Sequence, residues 1–123
     1  FAQGQVGKLA EVMSKVRKSM KISKNIAYME VLDSGASGAV NFVLGFSGKD
    51  VGIAYKERVD KGIYAVSVRG SSSCKIHLGR LVSSVSAKFA GSGGGHDRAC
   101  GAVIPKNNIK KFLREMNLQL GSM

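Results

Sequence analysis

The sequence predicts an α/β fold: a single-domain sandwich in which helices flank a mixed sheet of about four strands. Apolar residues recur at three- and four-residue steps in some segments, as in amphipathic helices, and alternate with polar residues in others, as in strands. The two kinds of segment follow one another in the order α-β-α-β-β-α-β-α, which indicates a sheet covered by helices. The chain has 123 residues, enough for one hydrophobic core but not for two.

The first part of the chain contains a helix, a strand and an ambiguous segment. The first helix has one apolar stripe, formed by Val6, Leu9, Met13, Val16 and Met20. Residues 26–32 are a strand candidate, and the turn-forming residues 33–38 end it. Residues 39–45 fit a short helix or a strand, and we predict a helix capped near Ser37.

The second part begins with two segments that alternate and are rich in β-branched or aromatic residues, 51–58 and 63–69. Separated by four turn residues, they predict an antiparallel hairpin. Residues 75–89 change to the helical period, with an apolar face that consists of Leu78, Leu81, Val82, Val85 and Phe89.

The last two predicted elements follow a run of glycines. Residues 99–104 form a strand of small residues that Pro105 closes. Asn107 or Asn108 would cap a final helix. For the domain organisation we predict an entry helix or linker over residues 1–24, one domain over 25–120, and a vector-derived remnant at 121–123.

Charge is the strongest global signal. Nineteen Lys and Arg against eight Asp and Glu give a formal net charge of +11. Such an excess favours nucleic acid or nucleotide partners, although a merely solubilising surface would look the same. No apolar run approaches the ~20 residues of a membrane span. The two cysteines, Cys74 and Cys100, indicate free thiols in a reducing cytoplasm. Their number alone would also allow one disulfide.

The segment GSGGGHDRACG, residues 91–101, carries the candidate chemistry. It does not match a dinucleotide-binding fingerprint, because it follows a helix and has His96 where the third glycine belongs. Two interpretations remain. The glycines could only terminate the preceding helix. Alternatively, Gly93, Gly94 and Gly95 could present bare amides to an anion, assisted by His96 and Arg98.

A second candidate element precedes it. Ser67 and Arg69 are two residues apart on a predicted strand, so their side chains share one face. The planar guanidinium of Arg69 can bind two phosphate oxygens at once. A strand-end arginine taken alone is more often a solvated surface residue. Here the glycine run follows after a single helix, and together with Arg69 it would form a phosphate-binding site.

These two segments, VSVRGS at 66–71 and GGGH at 93–96 followed by ACGA at 99–102, resemble the C-terminal DHH-associated domain of the DHH-family phosphoesterases. The pattern of that family is roughly a strand ending in Ser-x-Arg-Ser, a helix, then Gly-Gly-Gly-His, two variable residues and Ala-Ala-Gly. The resemblance covers about residues 25–118. Two positions depart from the pattern: Gly70 stands where the family usually has serine, and Cys100 replaces the second alanine.

The resemblance implies that Arg69 binds substrate phosphate, that the three glycines admit the substrate, and that His96 hydrogen-bonds a phosphate. Ser71 would supply the hydroxyl that the family has directly after the arginine. Arg98 is not part of the family pattern, and we include it among the binding residues because of its charge and position. It also implies two Mn²⁺ ions held by an N-terminal DHH catalytic domain. This chain has only two histidines and scattered acids, so we expect no metal site, no catalytic residue and no cofactor of its own, and no hydrolysis by the chain alone.

The leading hypothesis is therefore a substrate-binding domain of a manganese-dependent phosphoesterase: an exonuclease, oligoribonuclease, nucleotide phosphatase or cyclic-dinucleotide hydrolase of the cytoplasm. Its expected partners are nucleic acid or nucleotide phosphate and the DHH domain, and the first helix could pair in a homodimer. The alternative is a non-catalytic RNA-binding module, like the C-terminal domain of alanyl-tRNA synthetases, although that loop usually lacks the histidine. A regulatory domain that binds a small nucleotide or another protein is a third possibility.

Overall fold

The fold is built around a six-stranded mixed sheet. The computed structural model describes residues 14, 16–32 and 36–121. The strands are β1 (Lys21–Ile22), β2 (Ala27–Glu30), β3 (Val51–Arg58), β4 (Ile63–Gly70), β5 (Ser92–Gly95) and β6 (Ala99–Pro105), arranged in the order β1-β2-β3-β4-β6-β5. β2 and β3 pair in parallel, and the other neighbouring strands pair antiparallel.

Helices pack on both faces of the sheet. They are α1 (Ala36–Ser47), α2 (Leu78–Lys88) and α3 (Ile109–Gly121), and a 3₁₀ turn, Lys106–Asn108, leads into the last of them. On one face, α1 and Val16 bury side chains of β2 and β3. On the other face, α2 and α3 enclose the larger cluster, which includes Leu78, Val82 and Phe112. The predicted α/β class with a mixed, helix-flanked sheet is confirmed.

The β3–β4 hairpin is confirmed, because alternation in sequence becomes alternation in burial. Tyr64, Val66 and Val68 point into the core beneath α2 and α3, whereas the residues between them are partly exposed. Val51 pairs with Gly70 at one end of the hairpin and Arg58 with Ile63 at the other. This register determines which side chains lie at the end of the sheet where β3 begins and β4 ends.

The expected number of about four strands is too low by two. β1 is only two residues long, which is too short to show a period. β5 has the sequence SGGG, so it has almost no side chains that could alternate. The ambiguous segment at 39–45 is helical, but α1 begins at Ala36, so Ser37 lies inside the helix rather than at its cap. Asn108 donates its side-chain amide to the carbonyl oxygen of Phe89, at the end of α2.

The first predicted helix lies largely outside the described residues. Residues 14 and 16–19 are helical, and Val16 is fully buried against α1 and β2. The proposed domain limits at 24 and 120, and the assignment of 121–123 as a remnant, stay predictions; Gly121 is the last residue of α3. Over the described part of the chain, the helices are too short or too polar to traverse a bilayer.

Candidate functional site

Arg69 and His96 lie in one row across three neighbouring strands. Arg69 at the end of β4 is the partner of Ala99 in β6, and the amide of His96 donates to the carbonyl oxygen of Ala99 at 2.9 Å. Directly opposed residues of an antiparallel pair point to the same face. With two strand spacings of ~4.8 Å, the Cα atoms of Arg69 and His96 are about 10 Å apart, within the combined reach of the two side chains.

A second row, one step farther into the sheet on the same face, has no bulky side chain. Ser67 of β4 pairs with Gly101 of β6, and Gly101 pairs with Gly94 of β5. Val103, in the next row, is 41% exposed, and α1 buries residues of β2 and β3 rather than of β6. The two rows therefore form an open platform of bare backbone bounded by Ser67, Arg69 and His96.

The guanidinium of Arg69 lies over the boundary between β4 and β6. Its Nη1 donates to the carbonyl oxygen of Val68 at 3.0 Å and lies 3.4 Å from that of Cys100. Val68 and Cys100 are partners in the β4–β6 ladder, so both contacts hold the guanidinium over these two strands. Both contacts use Nη1, which leaves Nε and Nη2 without a hydrogen bond to the described part of the chain. These groups can bind an oxygen of a ligand placed on the platform.

The glycine run is an edge strand rather than a loop. It pairs with β6 through a hairpin whose turn residues are Asp97 and Arg98. α2 ends before the glycine run, at Ala90. This residue has a φ of 61°, the left-handed conformation in which helices commonly end. The helix-stop interpretation of Gly93–Gly95 is therefore wrong. The amides that we expected in an anion-binding loop are held in this edge strand, and their binding of an anion stays a prediction.

Close packing explains why β5 consists of glycines. A Cβ added at Gly95 would lie 2.8 Å from the carbonyl oxygen of Ala99, and one at Gly93 would lie 2.8 Å from that of Gly101. The same crowding occurs in α2, where a Cβ at Gly79 would collide with the carbonyl oxygen of Gly95. Gly94 meets no atom closer than 3.9 Å, but its φ of 153° disfavours a side chain.

The antiparallel pairing of β5 with β6 also determines which glycine amides are left free to bind a ligand. His96 and Ala99 form a hydrogen-bonded pair. Since such pairs alternate with non-hydrogen-bonded ones, the amides of Gly93 and Gly95 point away from β6, toward the outer edge of the sheet. A pocket of ≈ 410 Å³ lies on this side of β5, lined by His77, Gly79, Arg80, Ser83, Ser84, Gly94 and Gly95.

The N-terminus of α2 is not an anion site, because the chain itself uses its amides. Leu78 and Gly79 donate to the carbonyl oxygens of Asp97 and His96 at 2.9 and 3.0 Å. The amide of Arg80 donates to Nδ1 of His77, which is the N-cap residue of the helix. His77, expected as a surface or packing residue, is exposed and has this capping role. The turn that carries His96 is thereby fixed to the helix.

Ser71 and Arg98 are at the same end of the sheet but make other contacts. The hydroxyl of Ser71 donates to Oδ1 of Asp50 at 3.2 Å. Arg98 has an exposed side chain, and its carbonyl oxygen accepts from the amide of Gly70. A Cβ at Gly70 would lie 2.8 Å from Cδ1 of Leu78 and 3.2 Å from Cβ of Cys74, so a side chain at this position would be crowded.

Cys100 lies beneath Arg69 and is buried. Burial raises the pKa of its thiol from 9.0 to about 11, although the charge of Arg69 acts in the opposite direction. In the unfolded chain the thiol therefore ionises first. The stability linked to Cys100 is fully present below pH 9 and is lost as the pH rises toward 11.

We expect Cys100→Ala to remove this alkaline loss of stability, since alanine has no proton to lose. Thermal midpoints measured at about pH 8 and about pH 10.5 should fall further in the wild type than in the variant. Comparing the change within each protein cancels the cost of the smaller side chain. Equal falls in the two proteins would contradict the assignment to Cys100.

Sequence reasoning missed several residues of this region. Gly101 belongs to the platform, and only its place in the family pattern could have indicated it. Arg80 and His77 line the pocket beside β5, but nothing in the local sequence connects them with a strand that follows them by some fifteen residues. Within the described ranges, no three His, Cys, Asp or Glu side chains are close enough together to hold a metal ion.

Comparison with known proteins shows the family of the chain. A family model for the DHHA1 domain matches residues 3–122. A curated relative, an uncharacterized protein of Methanocaldococcus jannaschii, is 32% identical over 110 residues, which are 85% of this chain and 24% of the relative. The chain thus spans about a quarter of the length of that relative.

Solved structures with the same fold have low sequence identity. A pGpG-specific phosphodiesterase from Vibrio cholerae aligns with a TM-score of 0.68 and 13% identity, over 92% of this chain and 39% of that one. The C-Ala domain of alanyl-tRNA synthetase from Aquifex aeolicus aligns with a TM-score of 0.65 and 11% identity, over 83% and 97%. These similarities concern the fold alone. Because the family model covers almost the whole sequence, the chain belongs to the DHHA1 domain family, the domain associated with DHH-family phosphoesterases.

Proposed function

We propose that this domain binds phosphate groups of a nucleic-acid or nucleotide substrate on the platform formed by β4, β6 and β5. The observation that carries the proposal is the row of Arg69, Ala99 and His96, which places an arginine and a histidine on either side of a small residue. A guanidinium can bind two phosphate oxygens, and an imidazole can donate a further hydrogen bond. Ser67 contributes a hydroxyl in the next row.

The formal charge of +11 supports a polyanionic substrate. The phosphodiesterase that shares the fold is named for pGpG, a substrate with phosphates, which fits this site. Single-stranded oligonucleotides or nucleotide phosphates are the substrate class that we propose. Gly94 and Gly101 would allow the substrate to approach the backbone closely, and Arg98 would add positive charge at the rim.

Hydrolysis is assigned to another part of the parent protein. The described residues of this chain do not supply a set of ligands for manganese. We propose that a DHH catalytic domain holds the metal ions, which would polarise the phosphate and activate water, and that this domain closes over the platform. The role of the present chain is to position the phosphate and compensate its charge.

Titration of the 123-residue chain with a short 5′-phosphorylated single strand tests the proposal. We expect a dissociation constant between millimolar and micromolar that weakens steeply with salt, because counterions are released from the phosphates on binding. Binding that does not depend on salt, or no binding at low salt, would contradict it.

A non-catalytic RNA-binding role is the second candidate, because the C-Ala domain is covered over 97% of its length. Fusion of the chain to a metal-bearing DHH domain distinguishes the two roles. Manganese-dependent hydrolysis that is lost in the His96→Ala fusion supports the phosphoesterase role. A fusion that binds RNA equally well with and without His96, and does not hydrolyse it, supports the RNA-binding role.

A further inference from the structure

A second basic pocket lies at the same end of the sheet as Arg69. It has a volume of ≈ 500 Å³ and is formed where three loops meet the last turn of α3. Its polar lining includes Lys24, Lys49 and Lys75, together with Asn25, Asp50 and Ser73. None of these residues was singled out by the motifs in the sequence.

The topology brings the three lysines together. Lys24 is in the β1–β2 connection, Lys49 is just before β3, and Lys75 is in the β4–α2 connection. All three connections are at the end of the sheet where Val51 pairs with Gly70. The Nζ atom of Lys49 donates to the carbonyl oxygen of Lys24 at 3.0 Å, which fixes this ammonium group at the wall of the pocket.

Positive charge exceeds negative charge in this pocket. Three lysines and a single acidic residue, Asp50, line it, and Oδ1 of Asp50 already accepts a hydrogen bond from Ser71. Among the described residues, the ion pairs join Lys88 with Glu115 and Lys106 with Glu57, and neither pair includes a lysine of the pocket. This excess of positive side chains would attract an anion to the pocket.

The pocket is connected to the Arg69 platform by a short stretch of chain. Gly70 and Ser71 follow Arg69 directly, and the amide and hydroxyl of Ser71 both bond to Asp50, which lines the pocket. Arg69 faces the α1 side of the sheet, whereas the pocket is bounded by Leu120 of α3. A ligand that passes over the ends of β3 and β4 would contact both sites.

We propose that the pocket of Lys24, Lys49 and Lys75 binds a second phosphate of the same single-stranded oligonucleotide that Arg69 binds. The proposal rests on the proposed function, and it adds a dependence on substrate length. A dinucleotide occupies only the platform, whereas a longer strand also reaches the lysine pocket. The gain in affinity with length therefore comes from the lysines.

The test compares a 5′-phosphorylated dinucleotide with a hexanucleotide of the same base, titrated into the 123-residue chain and two double variants. Lys49→Gln/Lys75→Gln removes charge from the pocket. Lys110→Gln/Lys111→Gln removes the same charge from exposed positions at the start of α3, at the opposite end of the sheet. Thermal midpoints of all the proteins verify that the variants are folded.

We expect the pocket variant to bind the hexanucleotide about tenfold more weakly, and the dinucleotide only slightly more weakly, as the control variant does. Its salt slope for the hexanucleotide should fall by about 0.7 for each phosphate contact that is lost. The control variant should weaken both ligands slightly and alike. Equal effects of the two double variants on the hexanucleotide, or equal weakening of the two ligands by the pocket variant, would overturn the proposal.

Arg69→Gln separates this proposal from the proposed function. If Arg69→Gln weakens both ligands but the pocket variant weakens neither, the lysine pocket is wrong and the platform stands. If Arg69→Gln weakens neither ligand, the platform is wrong, and the second-phosphate proposal that rests on it is wrong as well.

Discussion

Arg69→Gln is expected to weaken the binding of a short 5′-phosphorylated oligonucleotide by about 10- to 100-fold, because a hydrogen bond to a charged group contributes about 1.5–3 kcal/mol. Glutamine retains a side-chain amide but has neither the charge nor the fork that binds two phosphate oxygens. Arg69→Lys should give an intermediate loss, since it restores the charge without the fork. Fluorescence anisotropy with a labelled strand measures all three affinities.

The matched control is Arg58→Gln. Arg58 is also at a strand end, and it is exposed whereas Arg69 is partly buried. It lies at the opposite end of the hairpin, where it pairs with Ile63. The two variants change the net charge by the same amount, so general attraction to a polyanion is reduced equally. Equal weakening by Arg58→Gln and Arg69→Gln would show that the protein binds through its overall charge and that the platform has no special role.

Gly79→Ala is expected to destabilise the protein by about 1–3 kcal/mol, the usual cost of overpacking a filled interior. An added Cβ would collide with the carbonyl oxygen of Gly95 and lie 2.9 Å from that of His96, and neither backbone atom can rotate away. The sign is opposite to the usual one, because alanine normally favours a helix over glycine. Chemical denaturation measures the change in the free energy of unfolding.

Gly45→Ala is the comparison for this effect. Gly45 is in α1 and exposed, and a Cβ there would meet no heavy atom within 4 Å. We expect this substitution to stabilise the protein by about 0.5–1 kcal/mol through helix propensity alone. If Gly79→Ala were also stabilising, the close contact between α2 and β5 would be wrong, and the position of the His96 turn with it.

The sequence predicted those parts of the fold in which apolar and polar side chains follow a regular period. The hairpin of β3 and β4 alternates apolar and polar residues, and α2 and α3 have clear apolar stripes, so their periods indicated their structures. β5 has no comparable signal, because three of its four residues have no side chain. A glycine run is typical of a loop, and only pairing with β6 shows that here it is a strand.

The site was predictable only in part, for a related reason. Arg69 and the Gly-Gly-Gly-His run could be identified from residue chemistry and from the family pattern. Their alignment in one row depends on the register between strands some thirty residues apart, which local periodicity does not contain. The lysine pocket is less predictable still, since Lys24, Lys49 and Lys75 come from three separate connections and share no motif.

The bonds from Leu78 and Gly79 to the 96–97 backbone have a consequence for selectivity. The hairpin turn cannot change conformation without leaving two helix amides unbonded, so the imidazole is presented from a rigid support. A binding site that is already rigid loses little conformational entropy when a ligand binds, but it cannot adjust to ligands of different shape. In the proposed phosphate site, the backbone positions of Arg69 and His96 would therefore keep one separation, and we expect the site to favour phosphoesters that fit this separation.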